Sequence, residues 1–350
     1  MSRALKLAKK GRGKVSPNPM VGCVLVKDGE IIGEGYHEEF GGQHAEVMAL
    51  RNSRKDPMDS VAYVNLEPCC ISGKTAPCTN ALIENGISEV FIGTLDLNPD
   101  VNGKGVEELE KAGIVVHVGI MEDESFRLNQ AFHKWITMGL PWVIAKVAQS
   151  ADGYMGLNAE TSVWLTGDAS RKHSHTLRSE VDAVLIGRQT ALIDNPSLTV
   201  REVGDANPKR VVLDTNRTLP LSLNIFQDNK AETIVLCSEN RFSQSKTHFC
   251  KYLPVKEENN KLSPLHSLKT LAEQGITSVL VEGGQEVLRS YISENIIDQI
   301  YIYTSPEKLD GASLKNPIQL SDEWSIIEEE ALGEDTLIIA EKGVECLQEL

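Results

Sequence analysis

His44, Glu46, Cys69 and Cys78 are residue types from which a hydrolytic zinc centre is made. One imidazole and two thiolates supply three ligands, and a catalytic zinc keeps its fourth tetrahedral position for water. The metal brings the pKa of that water to about 7, so hydroxide is available at neutral pH. A carboxylate two residues past the histidine can stand beside the water without ligating. Glu46 would take its proton and pass it to a ring nitrogen, then to a leaving amine. Cys78 follows Cys69 after eight intervening residues, and Cys70 adjoins Cys69, so spacing alone does not decide which thiols bind. Cys69 with Cys78 is the favoured pair, with Cys70 structural.

A second group of residues suits hydride transfer. Lys146-Val147-Ala148-Gln149-Ser150-Ala151-Asp152-Gly153 reads as a strand ending in a small polar turn, and Ser162-Val163-Trp164-Leu165-Thr166 sets an indole beside hydroxyls. Either a cofactor cleft or a plain core strand with a buried Trp164 would use these types. Val281-Glu282-Gly283-Gly284 runs from a strand through glycines into a helix near Gln285, where free backbone N–H groups and the helix dipole can receive a dinucleotide's phosphates. There is no G-x-G-x-x-G, so a Rossmann unit is not supported.

These residues need elements to hold them. Ala4, Leu5, Leu7 and Ala8 predict an N-terminal helix ending near Gly11 and Gly13. Strands are predicted at 21–26, 31–32, 61–66, 90–93 and 115–118, with Asp28-Gly29 as a hairpin turn. Helices are predicted at 45–52, 79–85 and 107–112, and a single helix over 123–133. The segment 134–141, with Gly139 and Pro141, reads as a connection between two domains. Beyond it, strands are predicted at 142–146, 183–187, 211–214, 233–237, 278–281 and 299–303, and helices at 169–178, 265–274 and 285–294. Charged residues crowd 246–261, which reads as a surface excursion. Alternating helices and strands make both halves layered α/β.

At 350 residues the chain is long enough for two domains, and 41% apolar with 24% charged residues is ordinary globular usage. Fifty acidic residues against 35 basic ones leave a net charge of −15, which repels phosphate backbones and acidic membrane surfaces. No apolar run approaches the roughly 20 residues that span a bilayer, and Met1 to Gly11 lacks the apolar core of a signal peptide. A cytoplasmic protein is expected. The odd count of seven cysteines, with Cys23, Cys69, Cys70 and Cys78 close together, suits a metal or thiol site better than a disulfide framework.

Ser16-Pro17-Asn18-Pro19-Met20-Val21-Gly22, His44-Ala45-Glu46, Leu66-Glu67-Pro68-Cys69 and Gly73-Lys74-Thr75-Ala76-Pro77-Cys78 resemble the pyrimidine deaminase of riboflavin biosynthesis. The second half resembles the reductase of the same pathway, so the whole chain resembles the bifunctional deaminase–reductase family. The resemblance implies an α/β protein of two domains. A cytidine-deaminase-like layered α/β domain would cover residues 1–139, and a dihydrofolate-reductase-like α/β domain residues 140–350. It implies Zn²⁺ on His44, Cys69 and Cys78 with Glu46 as proton shuttle, and pyrimidine contacts from Asn18 and Lys74. In the reductase half it implies NADPH against Ala148, Trp164, Thr166, Thr190, Asp194, Thr215 and the turn through Gly284, Gln285 and Glu286 to Ser290. Ser162, Arg178, Leu198, Arg201 and Glu282 would meet the substrate, with Arg178 and Arg201 clamping its phosphate.

The implied chemistry is deamination of a diaminopyrimidinone ribosylamine phosphate, then reduction of its ring-opened ribosyl group to ribityl. The reduction needs an acid, for which Lys146, Asp194 and Glu282 stand unranked. The family has Ser-His where this chain has Cys70-Ile71. Ile71 donates no hydrogen bond, which raises the alternative of a reductase with an impaired deaminase half. A deaminase-like protein acting on nucleic acid would need a basic groove with stacking aromatics, against 5% aromatic residues and the acidic balance. A zinc-stabilised scaffold without turnover is a third reading. The expected partners are the small-molecule substrate and further copies of the chain in a homo-oligomer, not nucleic acid or membrane.

Overall fold

The computed structural model describes residues 1–71, 76–158, 163–201, 203, 207–243 and 250–343. The chain divides into two compact units, Met1–Leu140 and Pro141–Leu350.

In the first unit, α1 (Ser2–Ala8) precedes a hairpin of β1 (Gly22–Lys27) and β2 (Glu30–Tyr36). Asp28 and Gly29 turn it with φ of 53° and 78°, the left-handed pair that an Asp-Gly hairpin favours. Then come α2 (Ala45–Arg51), β3 (Val61–Leu66), α3 (Cys78–Glu84), β4 (Glu89–Thr94), α4 (Lys104–Lys111), β5 (Val115–Val118), α5 (Glu122–Leu128) and α6 (Gln130–Met138). The strands form one sheet in the order β2-β1-β3-β4-β5, antiparallel across β2-β1-β3 and parallel across β3-β4-β5. Its core holds Leu25, Val64, Leu82, Val90, Ile92 and Leu109. Helix α2 lies so close to β2 that a Cβ on Gly35 would sit 2.4 Å from the Ala45 carbonyl oxygen. That approach fixes the helix start that carries His44 and Glu46.

The predicted single helix over 123–133 is two helices. Asn129 breaks it at φ −112°, because its side chain serves another segment. Its Oδ1 accepts from Met20 N at 2.8 Å and its Nδ2 donates to Met20 O at 3.0 Å. The predicted connection 134–141 is helical as far as Met138, where Gly139 closes α6 at φ 65°. Glycine meets that left-handed position at little steric cost.

The second unit opens with β6 (Trp142–Gln149), β7 (Tyr154–Gly156), α7 (Asp168–Ser179), β8 (Ala183–Gly187), α8 (Arg188–Asp194), β9 (Lys209–Leu213), α9 (Asn224–Gln227) and β10 (Thr233–Ser238). It continues with β11 (Lys251–Val255), β12 (Glu257–Glu258), β13 (Lys261–Leu262), α10 (Pro264–Ala272), β14 (Ser278–Val281) and α11 (Gln285–Ser293). It ends with β15 (Gln299–Thr304), β16 (Leu314–Lys315), β17 (Trp324–Leu332) and β18 (Asp335–Lys342). The main sheet has nine strands in the order β11-β10-β9-β8-β14-β6-β15-β18-β17. It is parallel from β11 to β15 and antiparallel from there to β17. Its central strands are fully buried apolar runs, as a covered parallel sheet requires.

The supposed surface excursion 246–261 contains the edge strand β11, paired in parallel with β10, so charge crowding there marks a sheet edge; 246–249 lie outside the described residues. Removing the Asn129 side chain (Asn129→Ala) deprives the Met20 N–H of its partner and leaves the Met20 carbonyl to Asn65 alone, and should lower stability to urea by about 1–3 kcal/mol. A midpoint unchanged from wild type would count against this clamp.

Candidate functional site

In the first unit, three elements converge. His44 is the residue before α2, with extended backbone at ψ 160°; Glu46 is in that helix's first turn; Cys78 opens α3. Cys69 lies in the loop after β3. His44 Nδ1 is 3.4 Å from Cys69 Sγ and 3.2 Å from Cys78 Sγ, and the three ligand atoms all lie within 4.8 Å of one another. A tetrahedral zinc, at about 2.3 Å from sulfur and 2.0–2.1 Å from nitrogen, needs ligand separations of this size, so the residues fit the ion. Hydrogen bonds from Cys78 and the His44 ring pull the Cys69 thiol well below its ordinary range, which favours the thiolate that binds metal. Cys70 points elsewhere, its Sγ 3.9 Å from the Asp100 carbonyl oxygen.

A cavity of about 330 Å³ opens on this cluster, with Asn18, His37, Glu46, Ile71, Asp96 and Asn98 in its lining. Glu46 is only 3% exposed, and burial raises its carboxyl pKa, with Cys69 adding to the rise. His37 was not anticipated. Its Nδ1 meets the Gln43 carbonyl at 3.0 Å and must carry the proton, so Nε2 accepts from Asn18 Nδ2 at 3.0 Å. That bond leaves the Asn18 amide oxygen for a ligand. Asp96 was also missed; burial pushes its carboxyl up to about 6, against a hydrogen bond from the Asn98 backbone. Glu67 carries no chemistry but fixes the wall. Its two oxygens accept backbone N–H groups from Asp96, Gly103, Gly105 and Val106 at 2.9–3.2 Å. Lys74 lies outside the described residues.

In the second unit, Lys146 on β6, Glu282 just after β14 and Arg178 near the end of α7 come together. Arg178 Nε and Nη2 bind the two Glu282 oxygens at 2.6 and 2.7 Å, and Nη1 reaches the Thr199 carbonyl at 3.4 Å. Arg178 is therefore engaged with a protein carboxylate, not open as a phosphate clamp. Burial opposes ionisation of Glu282, but Arg178 and then Lys146 outweigh it and hold the carboxyl at about 2. Glu282 is thus a carboxylate at neutral pH and unsuited to the acid role expected of it. Burial lowers the Lys146 pKa, assisted by Arg178 and opposed by Glu282. His175, unanticipated, faces the same group: burial, then Arg178 and Arg201, lower its pKa. Nothing in the spacing of a helical histidine marks such a place.

The remaining predicted residues line the strand ends. Gly283 and Gly187 meet back to back: a Cβ on Gly283 would fall 2.7 Å from Gly187 N, so the turns after β14 and β8 form a tight crevice. Thr190 Oγ1 accepts from Gly284 N at 3.0 Å. This glycine-lined crevice at the carboxyl ends of parallel strands fits a dinucleotide. Gln285 donates to the Lys315 carbonyl, while the Glu286 carboxylate faces Lys261 at 2.8 Å. Ala148 and Thr215 are half-buried at the ends of β6 and β9. Trp164 is 80% exposed under the Arg171 guanidinium, which excludes the core alternative, and Thr166 O accepts from Arg171. Asp194 and Arg201 are exposed, while Leu198 is buried at φ 50°. Ser162 lies outside the described residues.

Residues 141–338 match the family of the RibD C-terminal domain, and residues 1–94 the cytidine and deoxycytidylate deaminase zinc-binding region. The riboflavin biosynthesis protein RibD of Aquifex aeolicus is 41% identical over 346 residues, covering 97% of this chain and 96% of its own. A solved structure of Acinetobacter baumannii RibD is 34% identical, with a TM-score of 0.88 over 98% of this chain and 97% of that one. A Thermotoga maritima crystal structure, described as a diaminohydroxyphosphoribosylaminopyrimidine deaminase and 5-amino-6-(5-phosphoribosylamino)uracil reductase, is 35% identical, with a TM-score of 0.87 over 98% and 97%.

Metal analysis separates the thiols. Cys78→Ser should bring zinc content close to zero, whereas Cys70→Ser should leave it at the wild-type level; the reverse pattern would move the ligand set to Cys70.

Proposed function

The chain belongs to the RibD family of riboflavin-biosynthesis proteins, and from that premise we propose how its own residues divide two reactions. It is a bifunctional enzyme, a zinc-dependent deaminase joined to an NADPH-dependent reductase. The observation that carries the first reaction is the gathering of His44, Cys69, Cys78 and the buried Glu46 on one cavity.

His44, Cys69 and Cys78 hold the zinc, which when bound supplies a water acidified to a pKa of about 7. Glu46 accepts the proton lost as water adds to the amine-bearing carbon and gives it to the ring nitrogen; it then takes the remaining proton of the added hydroxyl as the carbonyl forms and passes it to the departing amine, which leaves as ammonia. Burial raises the Glu46 pKa, which makes its carboxylate a better proton acceptor than an exposed one. The Asn18 amide oxygen, oriented by His37, accepts from the pyrimidine's N–H edge. Asp96 and Asn98 supply polar contacts on the wall that Ile71 shares, so the loss of a donor at that position leaves others in place.

In the second reaction bound NADPH would supply the hydride that the ribosyl carbon that was C1′ receives. Lys146 donates the accompanying proton to the adjacent nitrogen. Glu282 is already ionised and Asp194 is exposed, so Lys146 is the acid that the site isolates. Glu282 keeps that cation in place, and Arg178 compensates the carboxylate. Arg201, exposed beside His175, is left for the substrate phosphate. We further infer a small-molecule enzyme of the cytoplasm, a homo-oligomer with no nucleic-acid or membrane partner. The net charge of −15 supports the absence of polyanionic partners, and no helix among the described residues is long and apolar enough to cross a membrane.

Ammonia release and NADPH oxidation, assayed separately, test the division. Glu46→Gln should abolish ammonia release yet retain zinc and reduce a pre-deaminated substrate normally; retained deamination would remove Glu46 from its role. Lys146→Met should slow NADPH oxidation by about 10²–10⁴-fold with deamination intact. In the wild type, oxidation should fall as pH rises through the lowered Lys146 pKa, because the acid form is the reactive one. A rate that rises across that range would transfer the proton to another group. The Glu282 carboxylate, depressed to about 2, contributes stability that is complete above the ordinary carboxyl range and lost as pH falls through 2.

A further inference from the structure

We propose that Arg188 recognises the 2′-phosphate of NADPH and so sets the preference of this reductase for NADPH over NADH. The inference deepens the coenzyme reading above and rests on it. The hydride end of that site is at Lys146 on β6 and Glu282 after β14, and the glycine crevice lies between β14 and β8. A coenzyme laid across the strand ends from there next meets β9. Neighbouring strands are about 4.8 Å apart, so β6 to β9 is three spacings, about 14 Å, the reach of an extended dinucleotide from nicotinamide towards adenosine.

Arg188 stands at this far end, and its side chain runs away from the crevice towards the segment after β9. Its Nε donates to Thr218 Oγ1 at 2.8 Å and lies 3.8 Å from Asp214 Oδ1. Those contacts fix one edge of the guanidinium. The two Nη atoms on the other edge have no partner among the described residues, and the side chain is 46% exposed. Asp214 does not compete for a ligand: its side chain is 2% exposed, and it accepts Leu219 N at 2.8 Å and Thr218 Oγ1 at 3.4 Å. An anchored guanidinium presenting paired N–H donors matches two phosphate oxygens. The nearby Arg217 is committed elsewhere, with Nη1 on Ser243 Oγ at 2.6 Å and the Arg241 carbonyl at 3.2 Å, and its guanidinium 4.1 Å over the Tyr252 ring. The phosphates common to both coenzymes would lie along the glycine crevice, where missing Cβ atoms give room, so Arg188 is left for the group that only NADPH carries.

The test is equilibrium binding to the full-length chain, followed by coenzyme fluorescence without turnover. Arg188→Ala should raise the Kd for NADPH about 10- to 100-fold, the loss of one or two charge-assisted hydrogen bonds, and leave the Kd for NADH unchanged. Arg188→Lys keeps the charge without the anchored edge and should lose part of the NADPH preference. On the wild type, 2′,5′-ADP should displace NADPH better than 5′-AMP by a similar factor, a result independent of how either variant folds. Equal weakening of both coenzymes, no weakening, or equal displacement by the two nucleotides would overturn the assignment to Arg188. If the wild type binds neither coenzyme, the coenzyme placement itself fails, which is a different result from equal binding of both.

Discussion

A carboxylate taken out of water needs compensation, and each unit of this chain is arranged around one buried glutamate that receives it. In the first unit Glu67, directly before Pro68-Cys69, gathers four backbone N–H groups from the loop and helix start spanning Asp96 to Val106. Three of those donors, from Gly103, Gly105 and Val106, are groups a helix start leaves unsatisfied, so a single side chain caps α4 and ties it to the cysteine loop. The approach is close enough that a Cβ on Gly105 would lie 2.2 Å from the Pro68 carbonyl oxygen. In the second unit Glu282 is compensated by cations instead, with the Arg178 fork in two-point contact and Lys146 beside it.

The manner of compensation decides what each glutamate can do. Glu67 is held by fixed backbone dipoles, so it shapes the cavity wall. Glu282 is tied to a guanidinium that stays charged at any working pH, which fixes it as an anion and lets it stabilise a protonated neighbour. Glu46 has neither arrangement. Burial raises its pKa, and the opposing influence comes from the His44 ring, its own backbone and the Cys78 thiol. It is the acid whose pKa burial raises, and it is the one beside the metal-ligand set.

Much of this was legible in the sequence because it depends on residue type and local order. The H-A-E run at a helix start, a cysteine after a strand and the glycines after β14 each announce a local geometry. The resemblance then placed them in one family. What the sequence hid depends on pairs far apart in the chain. Asn129 reads as an ordinary helical position until its partner Met20, over a hundred residues earlier, claims the side chain. Arg178 reads as a free phosphate clamp until Glu282 occupies it. Strand β11 reads as surface because an edge strand is half-exposed and carries the charges that protect an edge. Trp164 reads either as core or as the wall of a cofactor cleft until its exposure, with Arg171 over the ring, sets the core reading aside.

The placement of both sites follows from the same feature of parallel sheets. Consecutive parallel strands must be joined by crossovers, so their carboxyl ends emit chains that diverge to opposite faces or return over the sheet, and a crevice opens between them. In the first unit the chain leaving β3 carries Glu67 and Cys69, while that leaving β4 carries Asp96 and Asn98. In the second, β8 ends in Gly187 and the turn after β14 carries Gly283, and their missing Cβ atoms let adjacent turns touch without filling the crevice. The antiparallel strands β18 and β17 lack such divergence on their side. They cover the far edge of β15, which runs parallel to β6 and from which the Tyr303 ring centroid lies 5.6 Å from Lys146 Nζ. The lowered pKa of that lysine depends on its burial, to which this neighbouring strand contributes. The strand beside β6 thus helps to set the acidity of the group that β6 holds in place.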